Sequence, residues 1–174
     1  MDRRIRIALV IVALVGSALA AHADERRIQA TSRWEGRARV YVTGPRQAFM
    51  LASFAGRLTV DKEPDALGGA QMACPAAIDV DAAANTLRGE GRCVITSASG
   101  DRVFARWTCA GEPDKGCTGR FVLTGGTGAF QGVTGDGDFA ARLVLTDLVR
   151  FERMEADYDL AGVTSWPSLT FRTP

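Results

Sequence analysis

Few side chains in this sequence have the types and spacing that catalysis requires. The chain contains one histidine, His22, and it lies in an N-terminal segment that we expect to be removed. Histidine is the commonest general base at neutral pH and the commonest metal ligand in proteins. We therefore expect the mature chain to contain no Ser-His-Asp, Cys-His or His-metal site.

The remaining candidates for chemistry are Glu152 and Tyr158. They alternate along one predicted strand with Met154, Ala156 and Leu160, so all five side chains are expected to share a face. A carboxylate and a phenol would then both face a mostly apolar pocket. The alternative, which we favour, is that Glu152 is solvated at a barrel mouth and that Tyr158 is packed by its ring.

The three tryptophans are less informative at this stage. Trp107 alternates with Val103 and Ala105 on another predicted strand, which indicates a core position, and we also keep it as a candidate pocket residue. Trp34 and Trp166 lie near the two ends of the expected domain and receive no functional assignment.

A glycine-rich stretch over residues 121–139 shares some features with known ligand-binding loops. It lacks the lysine of a phosphate-binding Walker loop, and its match to a dinucleotide fingerprint is followed by a strand pattern, not a helix. Asp136 and Asp138 resemble part of a calcium loop, but Ala140 occupies the next ligand position and no glutamate closes the site. The stretch therefore predicts no cofactor and no metal.

We expect the same stretch to form a tight crossing between two strands. Glycine allows the positive φ angles and the close backbone approach that such a crossing needs, and the ring of Phe130 would plug one end of a barrel. The predicted structural turn residues are Gly125, Gly126, Gly128, Phe130 and Gly132.

Four cysteines, Cys74, Cys93, Cys109 and Cys117, predict two disulfides, because an even number is typical of proteins in oxidising compartments. Their spacing does not fit the close cysteine pairs of a zinc site. A predicted hairpin sets Cys93 opposite Ala105, which leaves Cys109 about 13 Å away and beyond disulfide reach. The short loop over residues 110–116 is well suited to closure by Cys109 and Cys117, so we predict the pairs Cys109–Cys117 and Cys74–Cys93.

Short alternating or apolar segments, separated by turns of Gly, Pro, Asn and Asp, predict the elements that position these residues. The density of turns favours strands over helices. Seven or eight strands at this spacing indicate an all-β domain, either a sandwich or a closed barrel. The predicted strands are residues 32–43, 47–60, 71–80, 86–97, 102–109, 119–124, 138–148 and 150–161.

The N-terminus has the layout of a cleavable signal peptide. Three arginines precede an apolar run over residues 7–15, and a segment of small residues ends in Ala21-His22-Ala23, which fits a peptidase site. The run is shorter than the roughly 20 residues of a membrane-spanning helix. We predict a signal peptide over residues 1–23, a single domain over residues 24–174, export to the periplasm or beyond, and no stable membrane insertion after cleavage.

The charge balance argues against several classes of partner. Cleavage would remove three arginines and one aspartate from a total of 21 basic and 20 acidic residues, so the mature chain is nearly neutral. It contains no long run of basic residues, which argues against binding to nucleic acid or to anionic lipid. About 150 residues remain, the usual size of one domain with its own core.

The C-terminal third of the chain carries a family resemblance. Thr124-Gly-Gly-Thr-Gly-Ala-Phe-Gln-Gly132, followed by Gly135, a strand, Tyr158-Asp-Leu-Ala-Gly162 and Trp166-Pro167, resembles the allene oxide cyclase and dirigent group of β-barrels. The resemblance implies a single antiparallel, eight-stranded barrel that is often lined with apolar residues. No catalytic position of the plant enzymes can be matched to this sequence, and the two disulfides are more in keeping with a bacterial secreted relative.

Two functions from different classes are compatible with these observations. The first is an exported barrel that binds a small apolar ligand, or serves as a structural or interaction module, without turnover. The second is a cyclase-like or dirigent-like enzyme that shapes an apolar substrate in its lumen. We favour the first because no catalytic constellation is visible and because activity does not follow from fold. An open apolar lumen beside an unpaired carboxylate or arginine would favour the enzyme.

Overall fold

The computed structural model of this chain describes residues 24–62, 65–143 and 155–173. These residues form eight antiparallel strands that close into a barrel, because each strand pairs with the next and β8 pairs back with β1. No helix among them is long and apolar enough to cross a membrane. The strands are β1 (Asp24–Gly44), β2 (Gln47–Val60), β3 (Gln71–Asp81), β4 (Thr86–Thr96), β5 (Arg102–Glu112), β6 (Gly116–Gly126), β7 (Gly135–Leu143) and β8 (Glu155–Thr173).

The barrel confirms the predicted all-β fold and decides between a sandwich and a closed barrel. Alternation of side chains explains why these segments form its strands. On β1, Trp34, Ala38 and Val40 are buried in the lumen, whereas Glu35 and Arg37 between them are exposed. Each strand of a closed barrel has one face toward the interior and one toward solvent, so a period of two in hydrophobicity matches it.

Several strands were predicted to be shorter than they are, and β8 shows the physical reason. The prediction ended this strand at residue 161, but it continues to Thr173. Pairing between β1 and β8 shifts register between Ile28 and Ala30, so Pro167 lies in a bulge where its missing N–H is tolerated. Similarly, β1 begins at Asp24 and not at residue 32. The predicted strand segments 144–148 and 150–154 lie outside the described residues.

Side chains from two connections fill one end of the barrel, which we call the plugged end. Leu67 enters from the β2–β3 connection, and Phe130 enters from a short 3-10 helix, Gly128–Phe130, between β6 and β7. Both side chains are at least 97% buried. The carboxylate of Asp101 anchors the helix by accepting the backbone N–H of Ala129 at 3.2 Å. Phe130 therefore occupies the plugging position expected from the sequence.

The four predicted turn glycines lie in this crossing. Gly125, Gly128 and Gly132 have φ angles of 140°, 55° and 74°, which side chains other than glycine rarely adopt. A Cβ at Gly126 would lie 2.5 Å from the carbonyl oxygen of Phe130. The crossing therefore needs glycine for both backbone conformation and space.

Both predicted disulfides are present. Cys74–Cys93 joins β3 to β4, and Cys109–Cys117 closes the β5–β6 hairpin. Cys93 lies opposite Ala105, which is the register from which the pairing was predicted.

Candidate functional site

An apolar cavity of about 70 Å³ lies in the lumen, away from the plugged end. All eight strands contribute to its wall, and both disulfides are part of it. Six of the sixteen residues that line the cavity are aromatic: Trp34, Phe54, Trp107, Phe121, Phe139 and Trp166.

Four of the five ring contacts in the cavity wall are edge to face, and the fifth, between Phe139 and Trp166, is tilted at 36°. The ring centroids of Trp107 and Phe139 are 6.0 Å apart, with an angle of 80° between the ring planes. Phe121 and Trp166 are 5.4 Å apart at 75°. Edge-to-face contact is the favoured arrangement of aromatic pairs, and rigid rings held in this way do not adjust to fill every gap between them.

Glycines inside two strands make room for the largest rings. A Cβ at Gly162 on β8 would come within 2.2 Å of the Trp34 ring, and a Cβ at Gly91 on β4 within 2.6 Å of the Trp107 ring. Glycine inside a strand often marks such a close approach. The two glycines therefore help to set where the indole rings lie and where the cavity begins.

The cavity wall contains few polar atoms. The indole N–H of Trp34 donates to the hydroxyl oxygen of Thr164 at 3.0 Å. The indole N–H of Trp166 is buried and has no acceptor among the described residues. A buried donor without an acceptor costs about 1–3 kcal/mol. A hydrogen-bond acceptor that reached this nitrogen would remove that cost.

The described part of the wall contains no titratable side chain, and its one hydroxyl, that of Thr164, accepts the hydrogen bond from Trp34. Its four cysteines are joined in disulfides, and its other residues are apolar or are Gly and Thr. Across residues 24–62, 65–143 and 155–173, no group of three or more His, Cys, Asp or Glu residues is arranged to hold a metal ion. The arrangement is suited to holding an apolar molecule.

Of the three residues predicted to form a pocket, the structure describes Trp107 and Tyr158 and does not bring them together in the cavity wall. Trp107 lines the cavity. Tyr158 is half-buried and packs against the core, but it does not line the cavity. Leu160 is buried two residues further along β8, so these two side chains share the inner face as expected. Glu152 lies outside the described residues.

Two residues without a functional assignment from sequence, Trp34 and Trp166, prove to line the cavity. Trp34 alternates with Ala38 on the buried face of β1, and this signal would have placed it in the lumen. Trp166 was harder to assign because Pro167 follows it directly and the bulge there interrupts the alternation. Their positions near the chain ends are misleading, because β1 and β8 are neighbours in the closed barrel.

The shifted pKa values belong to exposed groups and not to the cavity. Arg39 on β1 donates two hydrogen bonds of 2.9 Å to Asp157 on β8. This contact holds the pKa of Asp157 below its usual value and raises that of Arg39. Hydrogen bonds, first from the backbone N–H of Ala84 and then from Gln47, lower the pKa of Asp81. These contacts stabilise the outer surface.

No protein-family model matches this chain, and no curated protein matches it either.

Proposed function

We propose that this protein is an exported β-barrel that binds a small apolar molecule in its lumen and does not turn it over. The observation that carries the proposal is the cavity wall, in which aromatic rings and disulfides surround a space without ionisable groups among the described residues. Ligand sites in proteins are typically concave and mostly apolar, with few polar groups.

The size of the cavity limits the ligand. An apolar cavity of about 150 Å³ binds benzene or xenon, whereas this cavity measures about 70 Å³. A xenon atom or a similarly small molecule would fit without rearrangement. A ligand of benzene size would require the aromatic side chains of the wall to shift.

The two disulfides support export, because such bonds persist in oxidising compartments. The signal-peptide pattern over residues 1–23 supports it independently, although it lies outside the described residues. The intact mass of the protein recovered from the export compartment tests this part: the chain should begin at or near Asp24, and retention of residues 1–23 would contradict export with cleavage.

The second candidate function is a cyclase-like or dirigent-like enzyme of the group that the sequence resembles. The aromatic cavity favours it, since guidance of an apolar substrate by shape needs such a wall. Acid-base catalysis would also need a titratable group at the cavity, and the described wall supplies none. For this reason we propose binding without turnover.

Two neighbouring alanines on β7 offer a matched test of luminal binding. Ala141 lines the cavity, whereas Ala140 is exposed on the outer face. Ala141→Ile is expected to fill the cavity and abolish xenon binding, measured from xenon-induced shifts of methyl NMR signals, while Ala140→Ile leaves it unchanged. Phe139→Leu enlarges the space and is expected to increase benzene binding.

Melting temperatures of the three variants establish that each is folded. The proposal is contradicted if the wild type binds neither xenon nor benzene, which would leave a purely structural module. It is also contradicted if Phe139→Leu fails to gain benzene binding, or if a folded Ala141→Ile variant binds xenon like the wild type.

A further inference from the structure

A second concave surface lies on the outside of the barrel. We call it the outer groove: it measures about 530 Å³ and crosses β2 to β6, a volume typical of small-molecule sites. Small outward residues of β3, Pro75 and Ala77, form its floor, and Leu51 of β2 borders it. Leu51 is 49% exposed. One side of the groove therefore presents an apolar surface to solvent.

Two arginines stand directly opposite each other at the other side of the outer groove. Arg92 on β4 is the register partner of Arg106 on β5, and both are exposed and line the groove. Cβ atoms of opposed residues are about 5 Å apart, and like charges in this arrangement destabilise a sheet. Within residues 24–62, 65–143 and 155–173, neither guanidinium makes an ion pair or a side-chain hydrogen bond.

Some other arginines on the outer surface are neutralised by acidic residues, whereas Arg33 and Arg57, like Arg92 and Arg106, form no ion pair within the described residues. Arg39 pairs with Glu155 and Asp157, and Arg120, which also borders the groove, pairs with Asp136 and Asp138. Within the described residues, no acidic side chain forms an ion pair with Arg92 or Arg106. Glu90 also lines the groove, but it makes no ion pair with either arginine.

We propose that the outer groove binds a small amphipathic anion, a carboxylate with an apolar body. The carboxylate lies between Arg92 and Arg106, where it removes the repulsion between the two guanidinium groups and accepts their charge-assisted hydrogen bonds. The apolar body covers Leu51 and Pro75 and takes their exposed surface out of water. Trp107 lines both the outer groove and the lumen, but Leu51, Arg92 and Arg106 line the groove and not the lumen. Substitution of the two arginines therefore tests this site independently of luminal binding.

The probe for this site is 3-phenylpropanoate, with acetate and the neutral amide 3-phenylpropanamide as comparisons, titrated calorimetrically into the mature protein. We expect the carboxylate to bind at least about tenfold more tightly than the amide, because charged hydrogen bonds are roughly twice as strong as neutral ones. It should also bind more tightly than acetate, which lacks the apolar body. Arg92→Gln and Arg106→Gln should each weaken 3-phenylpropanoate binding about tenfold.

The chain supplies its own control in a second opposed pair, Arg33 on β1 and Arg57 on β2. Neither residue lines the outer groove, so Arg57→Gln should leave binding unchanged. If Arg57→Gln weakened 3-phenylpropanoate binding as much as Arg92→Gln does, the protein would attract anions in general, and the proposal would be overturned. So would undetectable binding of 3-phenylpropanoate, equal affinity for the amide or for acetate, or full affinity in both Arg92→Gln and Arg106→Gln.

Discussion

The plugged end of the barrel and its cavity are enclosed by the same closed sheet, but they are packed in different ways. At the plugged end, Leu58, Leu67, Phe130, Val133 and Phe171 are all at least 97% buried. Three of these side chains, those of Leu67, Phe130 and Val133, come from connections that fold inward. In the cavity, the strands alone supply the wall, and rigid rings meeting edge to face leave space between them.

This difference shows how an eight-stranded barrel can be both stable and hollow. An eight-stranded barrel has an interior that side chains can just fill. How completely the interior is filled therefore depends on whether extra side chains enter from the ends. Leu67 and Phe130 supply them at one end. In the hollow part, where no connection enters among the described residues, two disulfides cross-link the wall.

The largest expected effect tests the contrast in packing directly. Phe130→Ala should lower the free energy of unfolding by about 3–5 kcal/mol, because it opens a cavity in a filled region. Phe139→Ala should cost less, since its ring already borders empty space and has fewer contacts to lose. Chemical denaturation of both variants measures the difference.

Gln131→Ala is the control for Phe130→Ala, because Gln131 is exposed beside it and should change the free energy of unfolding by no more than about 0.5 kcal/mol. If Phe139→Ala proves as damaging as Phe130→Ala, the two regions are equally well packed and the contrast fails.

The next effect concerns the cross-links of the hollow part. Replacement of either cysteine pair by alanine should lower the free energy of unfolding by about 2–4 kcal/mol, because the unfolded chain regains conformations. The separations are 19 residues for Cys74–Cys93 and 8 for Cys109–Cys117. Loop entropy makes the first loss larger by about 0.8 kcal/mol. Guanidinium denaturation of the two double variants measures this order, and the reverse order would show that packing around each disulfide outweighs loop entropy.

The smallest expected effect tests how the short 3-10 helix is held at the plugged end of the barrel. Gly128 has a φ of 55°, and a Cβ there would collide with the carboxylate of Asp101, whereas Gly69 has a φ of 73° and no atom within 4 Å of such a Cβ. Gly69→Ala should cost about 1 kcal/mol from backbone strain alone. Gly128→Ala should cost more, because the anchoring carboxylate must also move. Equal melting temperatures for the two variants would show that Asp101 does not constrain the crossing.

Local patterns made much of the fold predictable. The limits of β2 were predicted correctly because its hydrophobic alternation is uninterrupted and turn residues flank it. The register of β4 and β5 followed from the short turn between them, and this register in turn allowed the disulfides to be predicted. These features depend on residues that are close in sequence.

The candidate sites depend on contacts that no local pattern shows. The hydrogen bond from Trp34 to Thr164 joins residues 130 positions apart, so only the closed barrel places both in one cavity wall. The outer groove was missed for a similar reason. Arg92 and Arg106 are isolated arginines in the sequence, and the nearly neutral charge balance gave no sign that pairing of β4 with β5 would oppose them.

Closure between β1 and β8 also constrains the order of events during folding. Asp24 pairs with Thr173, so the first described strand must wait for the last one before its second edge is covered. Until β8 pairs, a partly assembled sheet would present open edges on β1 and β7, and such edges can recruit other chains. The rate at which the barrel closes is therefore set by a contact between distant parts of the chain.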